Sequence, residues 1–230
     1  GHYPAVSITG SRCDLGCEHC RGKLLASMIP AAGPEELLAR CLEIEARGGT
    51  GVLLSGGADR EGKLPWPAFL PGVREVRQRT RLKLSAHTGF VTQEEAVALA
   101  QAGIDQGLFD VIGSDATLRE VYHLDRTVDD VAAVLDHLLD SGLEAVPHLV
   151  AGLHFGRLLG EEQALEMLHA RQDRVRNLVV VCLMPLPGTP MAGTPLAFGP
   201  EEFGRLLSRA RPLLPIKELA LGCARPRDTR

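Results

Sequence analysis

The sequence predicts an α/β fold built from parallel βα units, arranged as a partial (β/α) barrel of about seven strands. Two observations carry this. Short β-branched runs alternate with helical stretches along the whole chain, the rhythm of parallel βα units. No dinucleotide fingerprint marks the switch point of an open doubly wound sheet, so seven units in one run suit a barrel better. No linker interrupts the pattern, and residues 1–230 read as one domain. A closed eight-stranded barrel needs a further strand beyond Arg230.

Each element has its own signal. Ala5 to Thr9 is the first strand. The segment 34–47 is a helix with Pro34 at its start and Gly48-Gly49 at its stop. Gly51 to Ser55 is the second strand and 67–79 the next helix. Leu82 to His87 is the third strand. Thr92 N-caps the following helix, with Glu95 completing a capping box. Leu108 to Ile112 is the fourth strand, followed by one long helical region over 118–140. Ala145 to Val150 is the fifth strand, 161–172 a helix, and Asn177 to Leu183 a strongly apolar sixth strand. A helix over 200–210 and a strand over Lys217 to Leu221 close the pattern.

Bulk properties exclude several classes. A net charge of -4 gives no reason to expect nucleic acid or an anionic membrane surface. An aromatic share of 4% argues against stacking on single-stranded nucleic acid. No apolar run approaches the roughly 18–20 residues of a membrane span. The reading is of a cytoplasmic protein without nucleic-acid or membrane partners.

Three of the six cysteines, Cys13, Cys17 and Cys20, lie within eight residues directly after the first strand. Such a triplet in an otherwise cysteine-poor chain reads as metal binding before disulfide. Three thiolates on a compact loop suit an iron–sulfur cluster with one iron left open. Zinc is the alternative. It would call on His19, whose place beside Cys20 is awkward for joint chelation. In a βα barrel the active site lies at the C-terminal ends of the strands. There the sequence places Ser55-Gly56-Gly57, His87, Ser114-Asp115, His148 to His154, and Met184-Pro185.

The C-x3-C-x2-C spacing after a first barrel strand resembles the radical S-adenosylmethionine (SAM) superfamily. The resemblance implies a 4Fe-4S cluster on Cys13, Cys17 and Cys20, with SAM on the open iron. It implies reductive cleavage of SAM to a 5′-deoxyadenosyl radical that abstracts hydrogen from an unactivated carbon. Ser55-Gly56-Gly57 matches the segment whose backbone holds the methionine amino group, although the family's acidic residue is missing. His19 falls where an aromatic ring packs near adenine. Asp115, with Ser114 as a neighbour, falls where a carboxylate meets the ribose hydroxyls; a helix N-cap is the other reading of Asp115. Val150 and Met184 match adenine contacts. His148 and His87 are candidates to face SAM or substrate. Arg21 and Lys23 flank the cysteines, with a solvated role as the default.

A narrower resemblance, to one subunit of the two-component, archaeal-type lipoyl synthases, rests on PAVSITG, CEHCRGKLL, MIPA, LLSGGADREGKLP, IGSDATLREVYHL, VPHLVAGLHFGRLLGE, LMPLPGTPM and LGCARP. It implies sulfur insertion at C6 and C8 of a protein-bound octanoyl chain. It also implies a second radical SAM subunit, an octanoylated lipoyl-carrier protein and an electron-donor protein as partners. The layout is also similar to biotin synthase, another sulfur inserter. The positions expected to ligate that enzyme's auxiliary cluster fall near Leu54, Ser85, Val146 and Ala220, none of which can do so. An auxiliary iron–sulfur cluster would therefore need other ligands. Cys41 and Cys182 read as core residues, and Cys223 faces the cavity or not with equal claim. Two alternatives stand beside the lipoyl reading: another biotin-synthase-like radical SAM enzyme acting on a small molecule, and a non-catalytic metal-binding interaction protein.

Overall fold

The computed structural model describes residues 2–213 and 218–222. Its strands are β1 (Ala5–Ser7), β2 (Ile29–Pro30), β3 (Gly51–Ser55), β4 (Lys83–His87), β5 (Gln106–Asp110), β6 (Glu144–Ala151), β7 (Asn177–Cys182) and β8 (Glu218–Leu221). They form one sheet in the order β2-β1-β3-β4-β5-β6-β7-β8. Every ladder with a defined register is parallel. This is an α/β fold with the connectivity of a (β/α) barrel. All seven expected strands form. An eighth, two-residue strand, β2, lies on the edge beside β1.

The helices are α1 (Pro34–Ala46), α2 (Trp66–Arg79), α3 (Gln93–Ala102), α4 (Asp115–Glu120), α5 (Val128–Leu139), α6 (Glu161–His169) and α7 (Pro200–Leu213). The chain divides into two compact units. The first comprises residues 1–16, 21–108 and 136–144, and the second 17–20, 109–135 and 145 onwards.

In the first unit, period-two alternation sorts the strands into two faces. Val6, Leu54 and Ala86 share one register row, and Val52 and Leu84 another. All five are fully buried, as are Leu37 and Cys41 of α1, Val73 of α2 and Leu99 of α3. Each such aliphatic side chain contributes about 1.5–3 kcal/mol through burial. The opposite face carries Ser7 beside Ser55, and Leu53 beside Ser85. Leu54 and Ser85 therefore lie on opposite faces, which corrects by one residue the register expected from biotin synthase. Leu53, the actual neighbour of Ser85, is no ligand either. On this face the Tyr3 hydroxyl meets Ser85 Oγ at 2.6 Å, and Ser85 Oγ donates to Gln106 Oε1 at 2.9 Å. Trp66 is almost wholly buried and donates its indole N–H to Thr88 O at 2.8 Å.

The capping box of α3 forms as expected. Thr92 Oγ1 accepts from Glu95 N, and Glu95 Oε2 accepts from Thr92 N. Thr92→Ala should cost about 1 kcal/mol, read as a lowered urea midpoint with an unchanged slope.

In the second unit, Leu149 pairs with Val180 and Ala151 with Cys182 on the buried face. Leu118 of α4, Val131 and Leu135 of α5 and Leu165 of α6 are fully buried. His148, Val150, Val179 and Val181 alternate onto the other face. The long helix expected over 118–140 is two helices. His123 takes a left-handed φ of 58°, which a continuous helix does not allow. A Thr127–Asp130 cap then restarts α5: Thr127 N donates to Asp130 Oδ2 and Asp130 N to Thr127 Oγ1. The fourth expected strand also slides, from 108–112 to 106–110, because Gln106 and Gly107 join the ladder with β4.

Candidate functional site

The cysteine loop leaves β1 through a buried serine. Ser7 Oγ donates to Gly10 O at 2.7 Å, and Ile8 N donates to Ser55 O at 2.8 Å. Gly10, Gly16, Arg21 and Gly22 take left-handed φ, each turning the chain sharply. None of the five described cysteines is in a disulfide. Cys13 is half-buried, and Cys17 and Cys20 are buried.

The segment after β3 grips this loop within the first unit. Asp14 N donates to Ala58 O at 2.9 Å, and Gly57 N donates to Thr9 Oγ1 at 2.7 Å. A Cβ on Gly57 would lie 2.1 Å from Arg12 O and 2.4 Å from Cys13 Cβ. Residue 57 must be glycine because the backbone there lies directly against Cys13. The Gly56-Gly57 pair thus has a structural duty besides the backbone approach expected of it, and the Gly57 N–H is already engaged.

In the second unit, Cys17 Sγ, Cys20 Sγ and a ring nitrogen of His19 all lie within 4.8 Å of one another. The objection to His19 as a joint ligand therefore falls away. His19 Nδ1 is buried and has no hydrogen-bond partner among the described residues. Its ring meets that of Tyr122 at a centroid distance of 5.2 Å. The Tyr122 hydroxyl donates to Asp110 Oδ2 at 3.4 Å. Burial pushes the Tyr122 phenol well above its ordinary range, reinforced by Asp110 and by Cys17 and Cys20. Glu18 N donates to Val121 O at 2.8 Å, and Glu18 Oε1 meets His123 Nε2 at 2.8 Å. Val111 N donates to His148 O, which in a parallel ladder sets Asp110 beside His148.

Tyr122, Asp110 and the Glu18–His123 pair escaped the sequence reading. Tyr122 was the findable one, as one of only two tyrosines and part of the quoted segment IGSDATLREVYHL.

The remaining candidates scatter. His87 closes β4, in register with Leu108. Ser114 is the N-cap of α4, its Oγ accepting from Thr117 N at 3.3 Å. Asp115 is not the cap. It opens α4, and its Oδ1 accepts from Val128 N at 2.7 Å, tying α4 to the start of α5. His148 Nδ1 meets Val146 O at 2.9 Å; a carbonyl only accepts, so that nitrogen carries the proton. Met184 is exposed just beyond β7. His154 is buried against Thr117 Oγ1 at 3.2 Å, and burial lowers its pKa, so it is a core histidine rather than a surface ligand. Cys41 and Cys182 are buried core residues, and burial pushes the Cys41 thiol up to about 12. Cys223 lies outside the described residues. Among the described residues no other His, Cys, Asp and Glu side chains group as candidate metal ligands.

Glu161 governs the loop after β6. Its Oε1 accepts from the buried Gly152 N at 2.8 Å, while Oε2 is buried without a hydrogen-bond partner among the described residues. Burial raises its carboxyl pKa above the ordinary 4.5. The folded state therefore holds a proton where the unfolded chain has lost it. This contribution to stability is full below the unfolded value and is lost as pH rises through the folded one. Glu161→Gln keeps an acceptor without the charge. Its stability advantage over wild type should shrink as pH falls toward 4.5 in urea melts. Glu161→Ala leaves Gly152 N–H buried and unpaired, and should cost about 1–3 kcal/mol.

The donor set fits an iron–sulfur cluster. Three thiols lie within eight residues of sequence; in the second unit Cys17 and Cys20 are buried, and in the first the backbone at Gly57 lies against Cys13. No protein-family model matches the chain. A biotin synthase of Desulforudis audaxviator is 28% identical over 234 residues, covering 98% of this chain and 68% of that protein. A biotin synthase of Natronomonas pharaonis is 25% identical over 68% of this chain, which spans only 42% of that relative's length. Methylornithine synthase superposes with a TM-score of 0.69 at 13% identity, over 99% of this chain and 73% of that one. The radical SAM methyltransferase TsrM of Kitasatospora setae, solved with cobalamin and a 4Fe-4S cluster, gives 0.54 at 17% identity, over 82% and 38%. At these identities the structural likeness speaks to fold alone.

The chain is similar to biotin synthases in sequence and to radical SAM enzymes in fold.

No described helix is long and apolar enough to cross a membrane.

Proposed function

We propose that this protein is a radical SAM enzyme that inserts sulfur at an unactivated carbon of a small molecule, within one catalytic domain. The observation that carries the reading is the cysteine loop: three thiols in eight residues after β1, one of them held by the backbone of Gly57. Similarity to biotin synthase over 98% of the chain supports the substrate side.

Cys13, Cys17 and Cys20 hold the 4Fe-4S cluster. Held there beside SAM, the cluster would supply one-electron chemistry that activates SAM for hydrogen abstraction. The rest is positioning. Gly56 and Gly57 let the backbone approach without a side chain. Ser55, Ser114, Asp115, His87 and Met184 remain proposed SAM contacts. In the second unit His19 and Tyr122 present aromatic faces. Val150, on a face shared with Val179 and Val181, gives an apolar wall that excludes water. Asp110 and His148 offer polar groups to orient a ligand. The sulfur comes from outside the described residues, through an auxiliary cluster with other ligands or a partner chain.

A second reading is favoured by the segments CEHCRGKLL, VPHLVAGLHFGRLLGE and LMPLPGTPM. In it the substrate is an octanoyl chain on a carrier protein, and a second radical SAM subunit and an electron-donor protein act alongside.

One experiment separates the readings. The protein is reconstituted anaerobically with iron and sulfide, reduced, and given SAM with or without an octanoylated carrier peptide and the partner subunit. Formation of 5′-deoxyadenosine with no sulfur gain on the peptide supports the small-molecule reading. Sulfur gain supports the lipoyl reading. No 5′-deoxyadenosine under any condition sinks both.

A further inference from the structure

We infer that Cys17, His19 and Cys20 form a second kind of metal site on the same loop: a Cys2His site for a single thiophilic divalent cation, used when no cluster is present. It rests on no radical chemistry, only on the loop.

Three observations converge. The two sulfurs and a ring nitrogen of His19 already lie within 4.8 Å of one another. Around a tetrahedral zinc-type ion, with Zn–S about 2.3 Å and Zn–N about 2.0–2.1 Å, neighbouring ligand atoms sit roughly 3.5–3.8 Å apart. The site therefore needs side-chain adjustment of about an ångström, not a rebuilt backbone. His19 Nδ1 is buried with no hydrogen-bond partner among the described residues. A buried imidazole nitrogen left unpaired costs free energy, and ligation through Nδ1 would remove that cost. Finally, the segment is anchored at Glu18 and at His19 itself. Glu18 is fixed to Val121 and His123, and the His19 ring rests against Tyr122.

Two thiolates and one imidazole leave the fourth position to water, as in three-ligand zinc sites. Binding releases the two thiol protons to solvent and involves no redox change. The two occupants share Cys17 and Cys20 but differ in the third ligand. The single ion uses His19, whereas the cluster uses Cys13. The two are therefore mutually exclusive, and zinc in this site opposes cluster assembly.

The difference in ligands gives the test. Cluster-free, reduced wild type is titrated anaerobically with Co2+, alongside Cys13→Ser and His19→Phe, with far-UV circular dichroism confirming each fold. His19→Phe keeps a ring against Tyr122 but offers no ligating nitrogen. Wild type and Cys13→Ser should each bind one Co2+ with the visible d–d and thiolate charge-transfer bands of a tetrahedral thiolate site. His19→Phe should weaken binding at least about tenfold, the smallest loss seen even for an outer-shell partner. The same His19→Phe protein should still accept a 4Fe-4S cluster, and Cys13→Ser should not. The inference is overturned if wild type shows no tetrahedral cobalt spectrum. It is equally overturned if Cys13→Ser abolishes that spectrum while His19→Phe leaves it unchanged. A protein that binds cobalt in this way yet never forms 5′-deoxyadenosine would remove the proposed function and leave this inference standing.

Discussion

Gly57→Ala should fold less stably by about 1–3 kcal/mol, the usual range for inserting a methyl where there is no room, and should lose most of its bound iron. The added Cβ would sit 2.1 Å from Arg12 O and 2.4 Å from Cys13 Cβ. No side-chain rotation relieves this, because the nearest atom is backbone. The loop must move away from the segment after β3, carrying Cys13 with it. Gly56→Ala is the control. Its Cβ would meet Thr9 Oγ1 at 3.0 Å and the Ile8 side chain at 3.3 Å, contacts that side chains can yield. Iron and sulfide per chain after anaerobic reconstitution, together with urea melts of the apo proteins, should show a large loss for Gly57→Ala and a small one for Gly56→Ala. Equal iron retention in the two variants would mean that the grip on Cys13 is unimportant.

The second large effect separates the cysteines. Cys13→Ser, Cys17→Ser and Cys20→Ser should each abolish the 4Fe-4S absorption and the reduced-state electron paramagnetic resonance signal. Cys41→Ala and Cys182→Ala should retain both. Cys41 is fully buried and its thiol is pushed up to about 12, so it is a neutral hydrophobe at neutral pH. Cys182 is buried in register with Ala151, and burial raises its thiol pKa too. Replacing either should cost only packing, about 1 kcal/mol for the small volume lost. Alkylation of the native apo protein should label Cys13 and spare Cys41.

Much of the fold was legible because its signals are local. The alternation in Gly51 to Ser55, the capping box at Thr92 and the proline start of α1 depend on neighbours a few residues apart. The misses have a common cause in longer-range geometry. Val121 and Leu124 keep helical spacing across the gap between α4 and α5, so nothing local announced the left-handed His123. β2 is two residues long and exists only because β1 lies beside it. The apolar Val111 and Ile112 drew the fourth strand too far along, while the ladder with β4 takes Gln106 and Gly107.

At the site, the spacing of Cys13, Cys17 and Cys20 is a pattern on one loop and could be read directly. The grip of Gly57 on Cys13 joins residues 44 apart in sequence, since 57 − 13 = 44. The stacking of Tyr122 on His19 spans more than 100 residues (122 − 19 = 103). Asp115 had two plausible roles in the sequence. The structure gives one of its oxygens to Val128 N, a helix-joining role that neither reading contained.

The most direct measurement of the central claim is the product of SAM after anaerobic reconstitution. Iron and sulfide should approach four of each per chain, held on Cys13, Cys17 and Cys20. Reduction in the presence of SAM should then yield 5′-deoxyadenosine in wild type and none in Cys17→Ser. A colourless protein carrying one zinc and unable to cleave SAM would contradict the claim.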